Sequence, residues 1–382
     1  MERRTRWTVA IFAFVALDAA SLQIRGALLP QFEAAFDVSP GLLGLVAPAG
    51  TAGFFLTVLV VGLAAGRIRV HRTLLLGVLS AGAFLLPMSG APVYPLFLGA
   101  LVLHGISLGG VRALDRALLS HLYPDRRGRI FTLHSLAWAL GAVSGPVLAA
   151  LVISVADWRA VFVLLGLGFL PVALSIRGLS LPDRMENERP ISLDGAADLI
   201  REPTILGMTG ALLLVGGIEG AVFTWLPYYA GTSLPASLAP LALSAYLLAY
   251  VPGRVTYTVL AERIGYAPLS LALILPAIPA MYVAFVLTEG YAMLAAVFVL
   301  GLFMSGQFPL LSAVGVEAAS EYSGPVNAIS TSATYVGMAV VPTVMGVITG
   351  AYGIGTAMGV PVVLVVGASV LIGATWRATQ RV

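Results

Sequence analysis

Twelve apolar runs, most of them about 20 residues or longer, follow one another along this chain of 382 residues. They lie near 7–30, 41–65, 72–90, 93–121, 129–155 and 159–179, and then near 203–230, 237–260, 267–288, 291–318, 322–350 and 354–376. We call them spans 1 to 12. A run of that length crosses the hydrocarbon core of a bilayer as an α-helix, because only the helical ladder satisfies the backbone where water is absent. The expected fold class is therefore an all-α membrane protein. Composition agrees, with 59% hydrophobic and 10% charged residues, against about 25% charged in a soluble domain. Span 1 follows Met1-Glu2-Arg3-Arg4 without a small-residue cleavage site, so it reads as a retained helix.

The arginines alternate between the two sides. One side collects Arg3, Arg4 and Arg6, then Arg67, Arg69 and Arg72, then Arg126, Arg127 and Arg129. It continues with Arg177, Arg184, Arg189 and Arg201, then Arg254 and Arg263, and ends with Arg377 and Arg381, whereas the other side holds Arg159. The positive-inside rule then predicts both termini in the cytoplasm of a multi-pass cell-membrane protein, which requires an even number of spans. The polar, proline-bounded stretch 180–202 reads as a cytoplasmic linker between six-helix bundles at 1–179 and 203–382. Ser192 to Glu202 is expected as a short amphipathic helix on the membrane surface.

The chain has no cysteine, and all 21 basic residues are arginine. That excludes disulfides, thiolate metal sites, Schiff-base lysines and P-loop lysines. The four histidines lack metal-ligand spacing. No cofactor, no metal and no nucleic-acid partner is expected, and no nucleophile–base constellation suggests an enzyme. The expected partners are the lipid bilayer, a small-molecule substrate and a coupling ion, with the protein a monomer.

The two halves share a register. Ala65-Gly66-Arg67-Ile68 returns 196 positions later as Ala261-Glu262-Arg263-Ile264. The same offset carries Gly105 onto Gly301, Gly110 onto Gly306, Gly141 onto Gly337 and Pro146 onto Pro342. Two fused copies of one membrane unit explain this, an architecture of secondary transporters with the site between the halves.

Over its whole length the chain resembles the major facilitator superfamily. Leu260-Ala261-Glu262-Arg263-Ile264-Gly265, between spans 8 and 9, is similar to that family's cytoplasmic motif. The first-half copy, Gly62-Leu63-Ala64-Ala65-Gly66-Arg67, lacks the acid, and Arg69 stands where a glycine is usual. The resemblance implies a conformational latch at such an acid, which leaves Glu262 and Arg263 as its candidates here. Gly141-Ala142-Val143-Ser144-Gly145-Pro146 in span 5 resembles a motif linked to antiporters, but Ala149-Ala150 replaces its following glycine pair. The span 4 arginine of drug antiporters is missing ahead of Gly105. Two stretches look more like the fucose-permease group of sugar–proton symporters. One runs from Gly216-Gly217-Ile218-Glu219-Gly220 through Trp225-Leu226-Pro227, and the other from Leu114 to Pro146. That group keeps acids in spans 1 and 4 for proton coupling and sugar binding; Asp18 and Asp115 lie in those spans.

Six ionisable residues fall well inside the spans: Asp18, Arg25, Arg112, Asp115, Arg116 and Glu219. Each costs at least about 2.5–3.5 kcal/mol at the bilayer centre on insertion scales, so they must pair or face a cavity. Arg112 and Asp115 share a helix face and can meet; Asp18 and Arg25 share a face but stand about 10 Å apart along the axis. In the resembled family spans 1, 4, 7 and 10 line the path, and all six residues lie on three of these. They are candidates for function, with a structural ion-pair network as the competing reading. Asp18, Glu219 and Asp115 are the proton-coupling candidates, Glu219 because it has no arginine within one turn. Arg25, Arg112, Gln23, Gln307 and Trp225 are the substrate-binding candidates. His104, His134 and Trp138 are weighed as packing or site residues. Asn327, Ser330, Thr331 and Thr334 read as helix–helix glue, and Trp225, Tyr228 and Tyr229 also suit an interfacial aromatic belt.

The reading is a secondary active transporter that moves a small polar or anionic solute (a sugar, sugar acid or carboxylate) by alternating access, driven by protons. The alternative is proton-driven efflux of amphipathic drugs. A membrane-embedded enzyme and a transporter-like sensor are competing classes. The chemistry is unequal between the halves, since Phe308 and Leu311 fall opposite Arg112 and Asp115.

Overall fold

The computed structural model describes residues 3–63, 68–180, 199, 201–319 and 322–380. Most of the 180–202 linker, with most of the expected surface helix, and the first-half loop residues 64–67 lie outside these residues. Among the described residues, eleven helices are long and apolar enough to cross a membrane. They are Arg3–Ala27, Pro40–Val58, Val70–Ser89, Tyr94–Leu122, Arg129–Val155 and Arg159–Arg177, then Pro203–Ala230, Tyr266–Leu287, Gly290–Ala318, Pro325–Tyr352 and Ile354–Thr379. These are spans 1 to 7 and 9 to 12. Span 8 is divided into Ala239–Leu248 and Tyr250–Ile264, which completes the twelve.

The interruptions have one cause. Span 8 breaks at Ala249, three residues before Pro252, and span 10 breaks between Met304 and Gln307, ahead of Pro309. Span 1 ends at Ala27 ahead of Pro30, and span 2 is divided at Gly44 and Leu45 ahead of Pro48. A proline ring clashes with the carbonyl four residues earlier and supplies no N–H, so the ladder opens just before it. Elsewhere, as at Pro146 in span 5, Pro227 in span 7 and Pro342 in span 11, the helix continues through proline. Span 7 starts with a side-chain cap: Ile205 N–H donates to the Glu202 carboxylate at 2.7 Å.

The described chain forms two compact units. One lies within Met1–Val38 and Pro48–Glu188, and the other within Ser39–Ala47 and Arg189–Val382. The short segment Ser39–Ala47 thus belongs with the second unit, where Thr343 Oγ1 donates to the Gly44 carbonyl at 3.3 Å. Nothing in the sequence pattern announced that.

Within the first unit, span 1 packs on span 5, and span 3 on spans 4 and 6. Within the second, span 7 packs on spans 11 and 12, and span 8 on span 10. The repeated glycines make these contacts. A Cβ on Gly141 would overlap the Ala16 backbone, and one on Gly337 would overlap Leu213 and Gly217. A Cβ on Gly105 would strike the Gly50 carbonyl, and one on Gly301 the Tyr246 carbonyl. Gly50 and Tyr246 are themselves 196 positions apart. The sequence repeat is therefore a repeat of close backbone approaches, the packing that small residues permit between membrane helices.

Candidate functional site

Span 1 in the first unit carries Asp18, span 4 carries Arg112 and Asp115, and span 5 carries His134. These four side chains converge. Arg112 Nη1 donates to Asp115 Oδ2 at 2.7 Å, and Arg112 Nε lies 3.4 Å from Asp18 Oδ2. One guanidinium thus serves two carboxylates on two helices. Asp115 and His134 are each 1% exposed, and Asp18 is also buried. The Phe12 ring, edge-on to His134 at 6.4 Å between centroids, closes one side of this apolar setting.

His134 adds a constraint. Its Nε2 lies 2.9 Å from Asp115 Oδ2 and 3.2 Å from Arg112 Nη1. Toward the carboxylate Nε2 must donate; toward the guanidinium, which only donates, it must accept. One nitrogen cannot do both, so its proton position selects between the acid and the base. His134 Nδ1 is buried with no hydrogen-bond partner among the described residues.

Arg25, seven residues beyond Asp18, is buried. Its guanidinium fills the space over Gly50 of span 2, where any Cβ would collide with it. Arg116 is exposed, and its backbone N–H donates to Asp115 Oδ1. His104 packs as a core histidine: Nδ1–H donates to the Ala81 carbonyl at 2.9 Å, and the ring stands edge-on to Phe169. Gln23 is fully buried, and neither amide atom has a hydrogen-bond partner among the described residues.

The second unit holds a separate polar cluster. Glu219 Oε1 accepts from the Tyr250 hydroxyl at 2.7 Å, and the Tyr250 and Tyr246 hydroxyls are 3.1 Å apart. The Arg254 guanidinium carbon lies 5.1 Å from the Tyr250 ring centroid. Arg254 sits within the helix Tyr250–Ile264, inside span 8. Sequence reasoning missed Tyr246 and Tyr250 altogether. The available signal was the spacing by four of Tyr246, Tyr250 and Arg254, one stripe along an otherwise apolar span.

Two substrate candidates have their polar atoms engaged inside the second unit. Gln307 Oε1 accepts from Ser270 Oγ at 2.8 Å, and its Nε2 donates to the Ser270 and Phe303 carbonyls at 3.3 Å each. Trp225 Nε1 donates to the Pro342 carbonyl at 3.0 Å, and its ring is fully buried. Tyr229 caps the carbonyl of Phe285 at 3.0 Å, at the π-helical turn Val283–Leu287. Ser330 and Thr334 lie at the span 7 face of span 11, Ser330 against Met208. Glu262 and Arg263 are exposed at the end of span 8, where Gly265 turns the chain with φ +89°. Among the described residues no three histidine, aspartate or glutamate side chains converge as for a metal ion.

The family model described as Major Facilitator Superfamily matches residues 10–237. A glucose/galactose transporter of Brucella abortus biovar 1 (strain 9-941) is 27% identical over 360 residues, covering 88% of this chain and 86% of the relative. Among solved structures, a D-xylose-proton symporter superposes with a TM-score of 0.83 at 14% identity, covering 97% of each chain. The E. coli fucose:proton symporter gives a TM-score of 0.65 at 20% identity, covering 96% of this chain and 98% of its own. At those identities the two structures speak for the fold alone.

Proposed function

Because the chain belongs to the Major Facilitator Superfamily, whose members are transporters and not enzymes, we propose that it carries a small polar or anionic solute across the cell membrane, coupled to protons, by alternating access. The observation that carries this reading is Arg112 held between Asp18 and Asp115 with His134 against both Arg112 and Asp115. A guanidinium presents five donors in a planar fork that suits a carboxylate or neighbouring sugar hydroxyls. While both aspartates are ionised, they compete for those donors. A proton taken up at Asp18 or Asp115 removes one competitor and turns part of the fork toward an incoming solute oxygen. Solute and proton then favour the same state, which is what coupled transport requires.

In this reading Arg112 and Arg25 bind the solute together with Gln23, whose amide has no hydrogen-bond partner among the described residues, and Glu219 is the acid of the second unit. Gln307 and Trp225 support helix packing in place of the solute contacts first expected of them. Glu262 and Arg263 form the latch, the protein acts as a monomer, and both termini face the cytoplasm. The relative from Brucella makes the hexoses D-glucose and D-galactose the first solutes to try.

A thermal-shift screen of sugars, sugar acids, carboxylates and amphipathic drugs tests the substrate class, because a ligand stabilises the state it binds by about 2.7 kcal/mol at a hundred times its Kd. The expected result is a shift with a sugar, sugar acid or carboxylate that Arg112→Gln abolishes. A shift with amphipathic drugs alone, indifferent to Arg112, would replace this reading with efflux.

A further inference from the structure

The geometry points to Tyr250 and Tyr246 as positioning residues for Glu219, forming a two-phenol hydrogen-bond chain whose direction reverses when Glu219 gains a proton. This rests on the proton-coupled reading of the chain.

A phenol has one hydrogen, yet the Tyr250 oxygen lies 2.7 Å from Glu219 Oε1 and 3.1 Å from the Tyr246 oxygen. It can donate to only one of them and must accept from the other. With Glu219 ionised, Tyr250 donates to the carboxylate and Tyr246 turns its hydroxyl to donate to Tyr250; the donation from Tyr250 to Tyr246 that the 3.1 Å geometry favours is the arrangement of the protonated state. With a proton on Glu219 Oε1, the carboxyl donates to Tyr250, Tyr250 donates to Tyr246, and the Tyr246 hydrogen swings off the chain. One proton is added at Glu219, the hydroxyl hydrogens rotate, and no phenol loses its proton. The carboxyl is thus bonded in both states, so its change of charge strands no buried donor or acceptor on Tyr250.

Within the second unit, among the described residues, the helices packed on span 7 carry few charged groups, with Glu317 near the end of span 10. Arg254 stands one turn beyond Tyr250 on span 8, its guanidinium carbon 5.1 Å from the Tyr250 ring centroid. Span 11 packs on span 7 through Thr334, Met338 and Val341, and residues 323–352 contain no acid, arginine or histidine. Span 12 presents Leu364, Leu371 and Thr375 to span 7, and Arg377 is its one charged residue. On the side of span 10, the Tyr246 backbone is pressed against Gly301.

The repeat shows that the chain is particular to the second unit. Gln23 lies 196 positions before Glu219, and Gly50 and Phe54 lie 196 positions before Tyr246 and Tyr250. The first unit has an amide, a glycine and a phenyl ring where the second has a carboxyl and two phenols. In the first unit Arg25 occupies the space over Gly50, and the Gln23 amide has no partner among the described residues. The three positions thus differ together between the two units.

Infrared difference spectra between acidic and alkaline buffer, recorded on the full chain in phosphatidylethanolamine–phosphatidylglycerol liposomes, read the carboxyl directly and require no solute. The expected spectrum contains a protonated-carboxyl band that Glu219→Gln removes. Tyr250→Phe deletes the donor to the carboxylate, so the midpoint of that band moves to the alkaline side by about one pH unit. Tyr246→Phe leaves the Tyr250–Glu219 bond in place and moves the midpoint the same way by less; it carries the test if Tyr250→Phe fails to fold. A midpoint unchanged in these variants, or no titrating band that depends on Glu219, overturns the chain. Proton-gradient-driven uptake of D-galactose in the same liposomes tests the coupling separately. If Glu219→Gln keeps that uptake, or the unmodified protein shows none, while the band still depends on Tyr250, then the coupling reading fails and the phenol chain stands.

Discussion

Arg112 and Asp115 stand three residues apart on span 4 and close a 2.7 Å ion pair in which the aspartate side chain is 1% exposed. The same guanidinium reaches Asp18 on span 1 at 3.4 Å. A cation shared by two buried acids is stable as a set and costly to divide, because removing one member leaves its partners charged and unpaired.

Arg112→Ala should therefore destabilise the protein by about 3–5 kcal/mol, the range for breaking a buried pair from one side. Adding Asp115→Asn and Asp18→Asn to that variant should recover part of the loss, since the stranded charges are then gone. Unfolding in detergent measures both. Losses that simply add would show that the three residues do not act together.

Gly50→Ala should displace the Arg25 guanidinium and impair transport, and Gly105→Ala, whose methyl would strike the Gly50 carbonyl, should cost about 1–3 kcal/mol. Gly110→Ala is the control. Its new methyl would meet Thr57 and Thr73 only at 3.8 Å, and losing a mid-helix glycine is worth about 0.5–1 kcal/mol in its favour. Paired melting curves and uptake rates check the contrast.

Gln307→Ala and Trp225→Phe should lower the melting temperature and leave solute affinity near the unmodified value. Gln307→Ala strands Ser270, and Trp225→Phe deletes the bond to the Pro342 carbonyl. A large rise in KM without loss of stability would return these residues to the substrate site.

His134→Phe should fill a similar volume while deleting the nitrogen that faces both Asp115 and Arg112. Uptake at a fixed proton gradient should fall at least about tenfold if that nitrogen adds some 1.4 kcal/mol to the productive state. His134→Gln, which keeps a donor, should retain more activity than His134→Phe.

Much of the architecture could be read from the chain because a bilayer leaves a helix few alternatives. Run length set the spans, and the repeat of 196 marked the paired halves. The pairing of Arg112 with Asp115 was also legible, since a spacing of three fixes it on one helix face. The approach of Asp18 to Arg112, and of His134 to both Arg112 and Asp115, depends on how three helices pack, which no single helix encodes. Arg116, one position from Asp115, shows the limit from the other side: on the same helix it is exposed where Asp115 is buried. Gln307 as a hydrogen-bonder and Trp225 as a ring on which a sugar could stack were legible as candidates, while the bonds of their polar atoms to Ser270, Phe303 and Pro342 depend on how the helices of the unit pack. Tyr246 and Tyr250 were missed because phenols in an apolar run read as packing until an acid is found beside them.

The central claim is that solute and proton cross together through the group around Arg112. The most direct test follows external pH in proteoliposomes, without an imposed gradient, on addition of a solute identified by thermal shift. The account predicts alkalinisation on solute entry in the unmodified protein, lost in Arg112→Gln and in Asp18→Asn combined with Asp115→Asn. Entry of the solute with no change in external pH, or alkalinisation that survives those substitutions, would contradict it.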